Sequence, residues 1–132
     1  MAKLTYFVLC EKYIFNEGKT TLVNVYDIVG TSVFPAAVKD FTIALAINDI
    51  TKEDAVDGKI KVSVVVRDSA GEEFVRIESE QKVIDFPASV ASGADLGGQF
   101  QFPKEDKFTG ELYLNSKKMG ELSFEVKEVE AK

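Results

Sequence analysis

Hydrophobic and polar residues alternate one by one along much of this chain. The pattern is clearest at 41–48 and 122–127, where apolar residues recur at every second position. Successive side chains of a β-strand point to opposite faces, so this period indicates strands with one dry face and one wet face. No stretch has a comparable helical stripe. The alternation predicts strands at approximately 4–14, 20–34, 40–48, 58–67, 73–83, 97–102, 108–115 and 120–129.

Turn-forming residues separate these predicted strands. Residues 16–19 and 68–71 each contain a glycine, which adopts positive φ without strain, and both are predicted to be hairpin turns. Residues 115–120 are expected to separate the last two strands. Phe34-Pro35 is expected to end the second strand, because proline cannot donate to a β-ladder.

Several short strands joined by turns, without helices, are typical of a β-sandwich or a small barrel. The longer connections at 49–57 and 84–96 favour the sandwich, because a chain needs such connections to cross between two sheets. We therefore predict an all-β fold, an antiparallel sandwich of about eight strands with an immunoglobulin-like or jelly-roll Greek key. The length of 132 residues, 45% of them hydrophobic, suits a single domain over 1–132.

The charge balance narrows the range of partners. Sixteen basic and 22 acidic residues give a net charge of −6. Nucleic acids are usually bound by a cationic face, so we expect no nucleic-acid partner. No segment approaches the roughly 20 apolar residues that span a bilayer, so no membrane span is expected. The apolar stretch near the N-terminus ends at Glu11-Lys12 without a cleavage site, which predicts a cytoplasmic protein.

Residue types that most enzymes need are missing. The chain has no histidine, which removes the usual general base near neutral pH and every His-ligated metal site. Its one cysteine, Cys10, lies in an apolar run and is predicted to be a small buried hydrophobe. Walker and dinucleotide-binding glycine patterns are also absent. We therefore predict a protein that is not an enzyme, with no catalytic residue, cofactor or assigned metal site.

Two groups of loop residues are weak candidates for binding. Calcium needs oxygen ligands that converge from flexible loops, and four acids lie in the 49–57 connection, although without the spacing of an EF-hand. A glycine pair inside a predicted strand indicates a β-bulge, or close approach by another backbone or a ligand. The candidates are Asp49, Glu53, Asp54 and Asp57 in the first group and Gly97 and Gly98 in the second.

Several short motifs resemble those of a family of short uncharacterised all-β proteins from bacteria and their phages. The motifs are Leu9-Cys10-Glu11, Gly18-Lys19, Val25-Tyr26-Asp27-Ile28, Phe34-Pro35, Asp68-Ser69-Ala70-Gly71-Glu72 and Gly120-Glu121. The resemblance covers most of the chain, and it implies an immunoglobulin-like or jelly-roll layout. The family has no established activity, so the resemblance transfers no catalytic residue.

Tyr26 and Asp27 lie in the middle of the predicted second strand, which should be largely covered. A carboxylate there must be paired, hydrogen-bonded or solvent-facing. Asp27 is therefore interpreted either as an acid that accepts backbone N–H bonds from a neighbouring loop or as a binding-site acid beside Tyr26.

The function that fits these observations is a non-enzymatic binding or protein-interaction module. It would contact a protein partner, or a second copy of itself, through sandwich loops or an unpaired sheet edge. The alternatives are a calcium-dependent membrane or carbohydrate binder using 49–57, 84–96 and 103–107, a phage structural or host-directed accessory protein, and a carboxylate-based hydrolase.

Overall fold

The computed structural model describes residues 2–99 and 101–129, and this part of the chain is all-β, as predicted. It contains no helix that is long and apolar enough to cross a membrane. The strands within the described ranges are β1 (Lys3–Asn16), β2 (Lys19–Val25), β3 (Ile28–Thr31), β4 (Ala36–Ala37), β5 (Thr42–Ile50), β6 (Lys59–Arg67), β7 (Glu73–Lys82), β8 (Ala88–Asp95), β9 (Gln101–Phe102), β10 (Asp106–Leu114) and β11 (Lys117–Glu128).

The strands form a sandwich of two sheets. The first sheet has the order β2-β1-β5-β8 and the second sheet the order β3-β11-β10-β6-β7, while β4 and β9 form a separate short pair. Apolar side chains from both sheets fill the space between them. The ring of Phe102 packs edge-on against Phe41 at 5.8 Å and stacks on Phe74 at 5.3 Å between centroids. Such aromatic packing adds to the stability that apolar burial gives the core.

The central strand β5 is buried on both faces from Thr42 to Ile47. One face lies in the core. The other face is covered because the β1–β2 hairpin curls over the outside of the first sheet. Tyr13 of this hairpin occupies the space where a side chain at position 93 would stand, so glycine is required there. The curl explains why Ala44 and Ala46 are buried on what would otherwise be a solvent-facing surface.

The prediction of one continuous second strand at 20–34 is wrong. The chain forms β2 in the first sheet, leaves it after Val25, and enters the second sheet as β3 at Ile28. The sandwich is also not wholly antiparallel, because β3 runs parallel to β11. Alternation could not reveal this break, since both halves of the segment are strands and only their partners differ.

Both predicted crossings do connect the two sheets. Residues 49–57 join β5 of the first sheet to β6 of the second, and 84–96 leads from β7 back to the first sheet. The second connection is not simply a loop, because it contains β8. This strand escapes sequence detection since its residues, from Ala88 to Asp95, are mostly small and carry no apolar alternation.

The predicted strand at 97–102 is largely wrong. Only Gln101 and Phe102 are in a strand, β9, which pairs with the unpredicted β4, and Phe100 lies outside the described residues.

The turn predicted at 115–120 is shorter than expected. Asn115 and Ser116 alone make it, with φ of 46° and 70°, and β11 begins at Lys117. Positive φ at both positions is the geometry of a tight two-residue hairpin.

Candidate functional site

The crossing segment, residues 24–28, carries the chain from the first sheet to the second. It is anchored at both ends by backbone hydrogen bonds. The Tyr26 N–H donates to the Leu9 carbonyl at 3.0 Å, and the Glu125 N–H donates to the Asp27 carbonyl at 2.9 Å. The segment therefore bridges β1 and β11, which lie in opposite sheets.

Below this bridge, one edge of each sheet is left open. On the side of β1 away from β5, β2 pairs only from Cys10 onward, so within the described chain residues 3–9 have no strand beside them. On the side of β11 away from β10, β3 pairs only with Glu125 to Glu128. Residues 117–124 are therefore also open within the described ranges.

Strand geometry identifies the backbone groups that these open edges present. In an antiparallel pair, successive residues direct their N–H and C=O groups alternately to one side and the other. Leu9 and Glu125 bond to the crossing segment, so Phe7 and Ser123, two residues away from each, point the same way. Phe7 and Ser123 thus offer backbone donors and acceptors that the sheets themselves do not use.

The edge cleft is the groove between these two open edges, with a volume of about 340 Å³. Phe7 and Leu9 of β1 form one wall, Leu122 and Ser123 of β11 the other, and Val25 lies at the bridge. Elsewhere between the same two strands, Leu4 packs against Gly120, where a Cβ atom would lie 2.5 Å from the Leu4 side chain. The result is an apolar groove flanked by backbone hydrogen-bonding groups.

One apolar side chain is exposed at each end of the crossing, and that of Val25 also lines the cleft. Val25 is 57% exposed and Ile28 is 52% exposed, one on each side of the crossing.

Tyr26 separates the edge cleft from a larger and more polar cavity of about 460 Å³. Its hydroxyl donates to the Asp40 carbonyl at 2.6 Å and so ties the crossing to the 36–40 connection. Burial, and then the negative charge of Glu11, raise the pKa of Tyr26 to about 12. The phenol therefore remains neutral at physiological pH and acts as a hydrogen-bond donor.

A second hydrogen bond joins two residues that line the polar cavity. Asn24, which adopts a φ of 49°, donates from its side chain to Glu11 at 3.2 Å. Asparagine tolerates this left-handed conformation better than most residues. The polar cavity is lined by this pair, by Tyr26, and by Gly30 of β3.

Asp27 does not lie in the middle of a strand, contrary to the sequence-based prediction. It is exposed at the crossing and lines the edge cleft. Its backbone carbonyl accepts the Glu125 N–H bond, whereas one of the two interpretations from sequence had its carboxylate accept backbone N–H bonds.

The acidic side chains of the 49–57 connection have different partners and do not form a cluster. Asp49 lies 3.9 Å from Lys3, and the Asp54 carboxylate accepts bonds from the N–H and hydroxyl of Thr51, both at 2.9 Å. Asp57 adopts positive φ in a turn, and Glu53 is exposed. Among the described residues, no three His, Cys, Asp or Glu side chains converge in a way that could hold a metal ion.

Gly97 and Gly98 mark a close approach of two backbones, one of the alternatives predicted from sequence, and not a bulge. A Cβ at position 97 would lie 1.7 Å from the Lys39 carbonyl oxygen. The Gly98 N–H donates to the Val38 carbonyl at 2.8 Å, with φ of 73°. Both glycines therefore fasten the 36–40 connection, which lines the polar cavity.

Cys10 is fully buried, as predicted, and its thiol lies 3.5 Å from the Lys12 carbonyl. Burial raises the pKa of the thiol. A protonated, enclosed thiol is a poor nucleophile.

Of the residues predicted from sequence, the structure brings only Tyr26 and Asp27 to the edge cleft. Sequence analysis missed Phe7, Leu122 and Ser123, which read as ordinary strand residues. Gly120 was the one signal in the sequence that another segment lies close to β11, because glycine within a strand often marks a close approach.

The structure thus defines the class of the protein as an all-β sandwich with an open-edged cleft on one side. The sequence profile of a family of unknown function, DUF6941, matches residues 5–127, and the chain belongs to this family. No function of the protein is established. No curated protein matches the sequence.

A comparison of folds finds a crystal structure of an immunoglobulin-like protein from Pseudomonas aeruginosa. The two chains are 9% identical, and the match covers 96% of this chain and 97% of the other with a TM-score of 0.45.

Proposed function

We propose that the protein is a non-enzymatic interaction module that binds an extended segment of a partner protein in the edge cleft. One observation carries the proposal: two strand edges that are open within the described chain, at 3–9 and 117–124, meet at one largely apolar groove, which residues 7–9 and 122–123 line. A strand edge is a template for another strand, and proteins commonly bind extended peptides by adding them to a sheet.

The backbone of the bound segment would supply the affinity. Its N–H and C=O groups would bond to the outward-pointing groups of Phe7 on one side or Ser123 on the other. Alternate side chains of an added strand point to opposite faces. One set would enter the groove between Leu9 and Leu122, and the other would lie against the exposed Val25.

The charge of the protein favours one kind of segment. Asp27 is exposed in the cleft wall, and the whole chain carries a net charge of −6. Opposite charge on a partner accelerates association and suppresses wrong partners. The preferred segment is therefore extended, apolar at alternate positions and basic at its ends.

The proposal excludes a chemical role for the site. Tyr26, whose pKa is about 12, is bonded to the Asp40 carbonyl, and the rest of the cleft lining is apolar apart from the side chains of Asp27 and Ser123. These features support binding rather than catalysis.

The proposal extends to the setting in which the module works. The sequence motifs resemble those of bacterial and phage proteins, which supports an origin in a bacterium or its phage. A single buried thiol without a disulfide suits the reducing cytoplasm. Fractionation of the source cells, followed by immunoblotting, tests the location, since recovery outside the cytosolic fraction would contradict it.

A random peptide library displayed on phage and selected on the purified protein tests the binding function. We expect selected peptides with apolar residues at alternate positions. A synthetic copy of a selected peptide, followed by fluorescence polarisation, should bind Ser123→Pro at least about tenfold more weakly, because proline removes the donor that faces the cleft.

Glu80→Pro is the matched control. Glu80 of β7 also directs its N–H away from its sheet. The N–H of Val83, just past the end of β7, donates to the Gly58 carbonyl just before β6, so by alternation the even-numbered residues of β7 face away from β6. It should leave peptide binding unchanged. Val25→Lys, at an exposed position, should weaken binding without disturbing the core. Equal binding to the wild type and to the Ser123 and Val25 variants, all with intact melting transitions, would refute a site in the edge cleft.

A further inference from the structure

The outer edges of the two sheets differ in how they are protected against pairing with another chain. β3 is only four residues long, and β2 carries Lys19 and the positive-φ residue Asn24. β7 has charged residues along its length, and Arg76 pairs with both Glu73 and Glu78. Short strands, irregular backbone and charge are the usual means by which proteins block edge pairing.

The remaining edge, β8, has none of these features. It is eight residues long, its only charged residue is Asp95 at the end, and the others are small or apolar. Ser89, Ala91 and Ser92 are exposed. No strand within the described residues pairs with its outer side, because β5 is its neighbour on the inner side alone.

The hydrogen bonds to β5 determine which groups of β8 point outward. The Leu96 N–H donates to the Phe41 carbonyl, so even-numbered residues bond toward β5. By alternation, the backbone groups of Ser89, Ala91 and Gly93 face away from the sheet.

We infer that two copies of this chain associate through β8, antiparallel across a two-fold axis at Ala91. In this register, Ala91 exchanges a pair of hydrogen bonds with its own copy. Ser89 of each copy exchanges a pair with Gly93 of the other. The two first sheets then join into one continuous sheet, which is the self-complementary arrangement that a two-fold axis requires.

A second copy fits this edge because the pairing places no like charges opposite each other. Small residues face small residues, and Asp95 falls opposite Pro87, which has no N–H, so pairing ends there. Each copy carries a net charge of −6, so repulsion between the copies opposes the contact. Salt screens this repulsion, and association should therefore strengthen as ionic strength rises.

An exposed apolar residue lies beside the proposed interface. Ile84, four residues before β8, is 86% exposed, more than any other large hydrophobic side chain in the described ranges. In the proposed register, position 84 lies three residues before Pro87 and therefore outside the paired strands.

Disulfide trapping tests the register. Directly opposed hydrogen-bonded residues have Cα atoms about 5.5 Å apart, within reach of a disulfide. Ala91→Cys should therefore form a covalent dimer on oxidation. Ser89→Cys places its two thiols about 14 Å apart and should not. The natural Cys10 is fully buried and does not interfere. Equal cross-linking of the two variants, or none, would overturn the register.

Sedimentation equilibrium tests the association itself. Wild type should dimerise with rising protein concentration, and Ala91→Lys should weaken the dimer at least about tenfold by placing two lysines opposite each other. Glu80→Lys on β7 is the control and should leave the dimer unchanged. A wild type that stays monomeric up to about 1 mM would overturn the proposal. Equal dimerisation of the Ala91→Lys variant and the wild type would overturn it as well.

Discussion

Single glycines determine how closely neighbouring segments of this protein approach each other. Gly97 lies directly against the Lys39 carbonyl, Gly93 against Tyr13, and Gly120 against Leu4. At each position a Cβ atom would overlap another residue. Of these three glycines, only Gly97 was interpreted from sequence as a possible close approach, because it has a glycine beside it.

Alanine substitutions at Gly97 and Gly98 should differ in cost. Gly97→Ala places a Cβ 1.7 Å from a backbone oxygen, so two chain segments must separate. We expect a loss of about 3 kcal/mol or more in the free energy of unfolding. Gly98→Ala has open space but a φ of 73°, which costs about 1–2 kcal/mol. Urea denaturation measures both, and equal losses would contradict the close approach.

The pH dependence of stability should reveal the environment of Tyr26. Its pKa is about 12 in the folded protein, above the ordinary value of 10.0, so folding favours the neutral phenol. This contribution is complete below pH 10 and is lost as the pH rises toward about 12. Tyr26→Phe lacks it.

We expect Tyr26→Phe to be less stable near neutral pH by about 1 kcal/mol, through loss of the bond to Asp40. Its free energy of unfolding should then fall less than that of the wild type above pH 10. Chemical denaturation at a series of pH values measures the difference. Parallel curves would show that the phenol is not buried as described.

At the scale of elements, local pattern and long-range pairing gave different answers for the same residues. The strands with strong apolar alternation, such as β5 and β10, could be located from sequence because alternation reports burial of one face. The break between Val25 and Ile28 could not, since its cause is the pairing of Ile28 with Glu125, almost a hundred residues away in the chain.

β8 shows the same limit from the other direction. Small residues such as Ala91 and Gly93 have little preference for strands. These residues adopt a strand conformation here because β5 offers them a complete ladder of hydrogen bonds, from Thr42 to Ile47. An edge of this kind can be recognised only once its neighbour is known.

At the scale of the whole molecule, the two proposed surfaces belong to different edges. The edge cleft lies between β1 and β11, whereas β8 is at the far edge of the first sheet. Binding at one should therefore be independent of binding at the other.

This independence can be tested with variants already described. Ala91→Lys should bind the selected peptide as tightly as wild type does, and Ser123→Pro should retain the concentration dependence of the dimer. Peptide titration and sedimentation of both variants measure this. A change of more than about threefold in either cross-test would indicate that the surfaces are coupled.

The sequence by itself determined the all-β class, most strand positions, the two sheet-to-sheet connections and the burial of Cys10. These properties follow from side-chain period, turn chemistry and hydrophobicity, which are local. Tertiary structure alone decided the crossing at Tyr26 and Asp27, the scattering of the 49–57 acids, and the open edges of β1, β11 and β8. An open edge is a missing partner, and pairing between distant strands leaves no mark on the residues that remain unpaired.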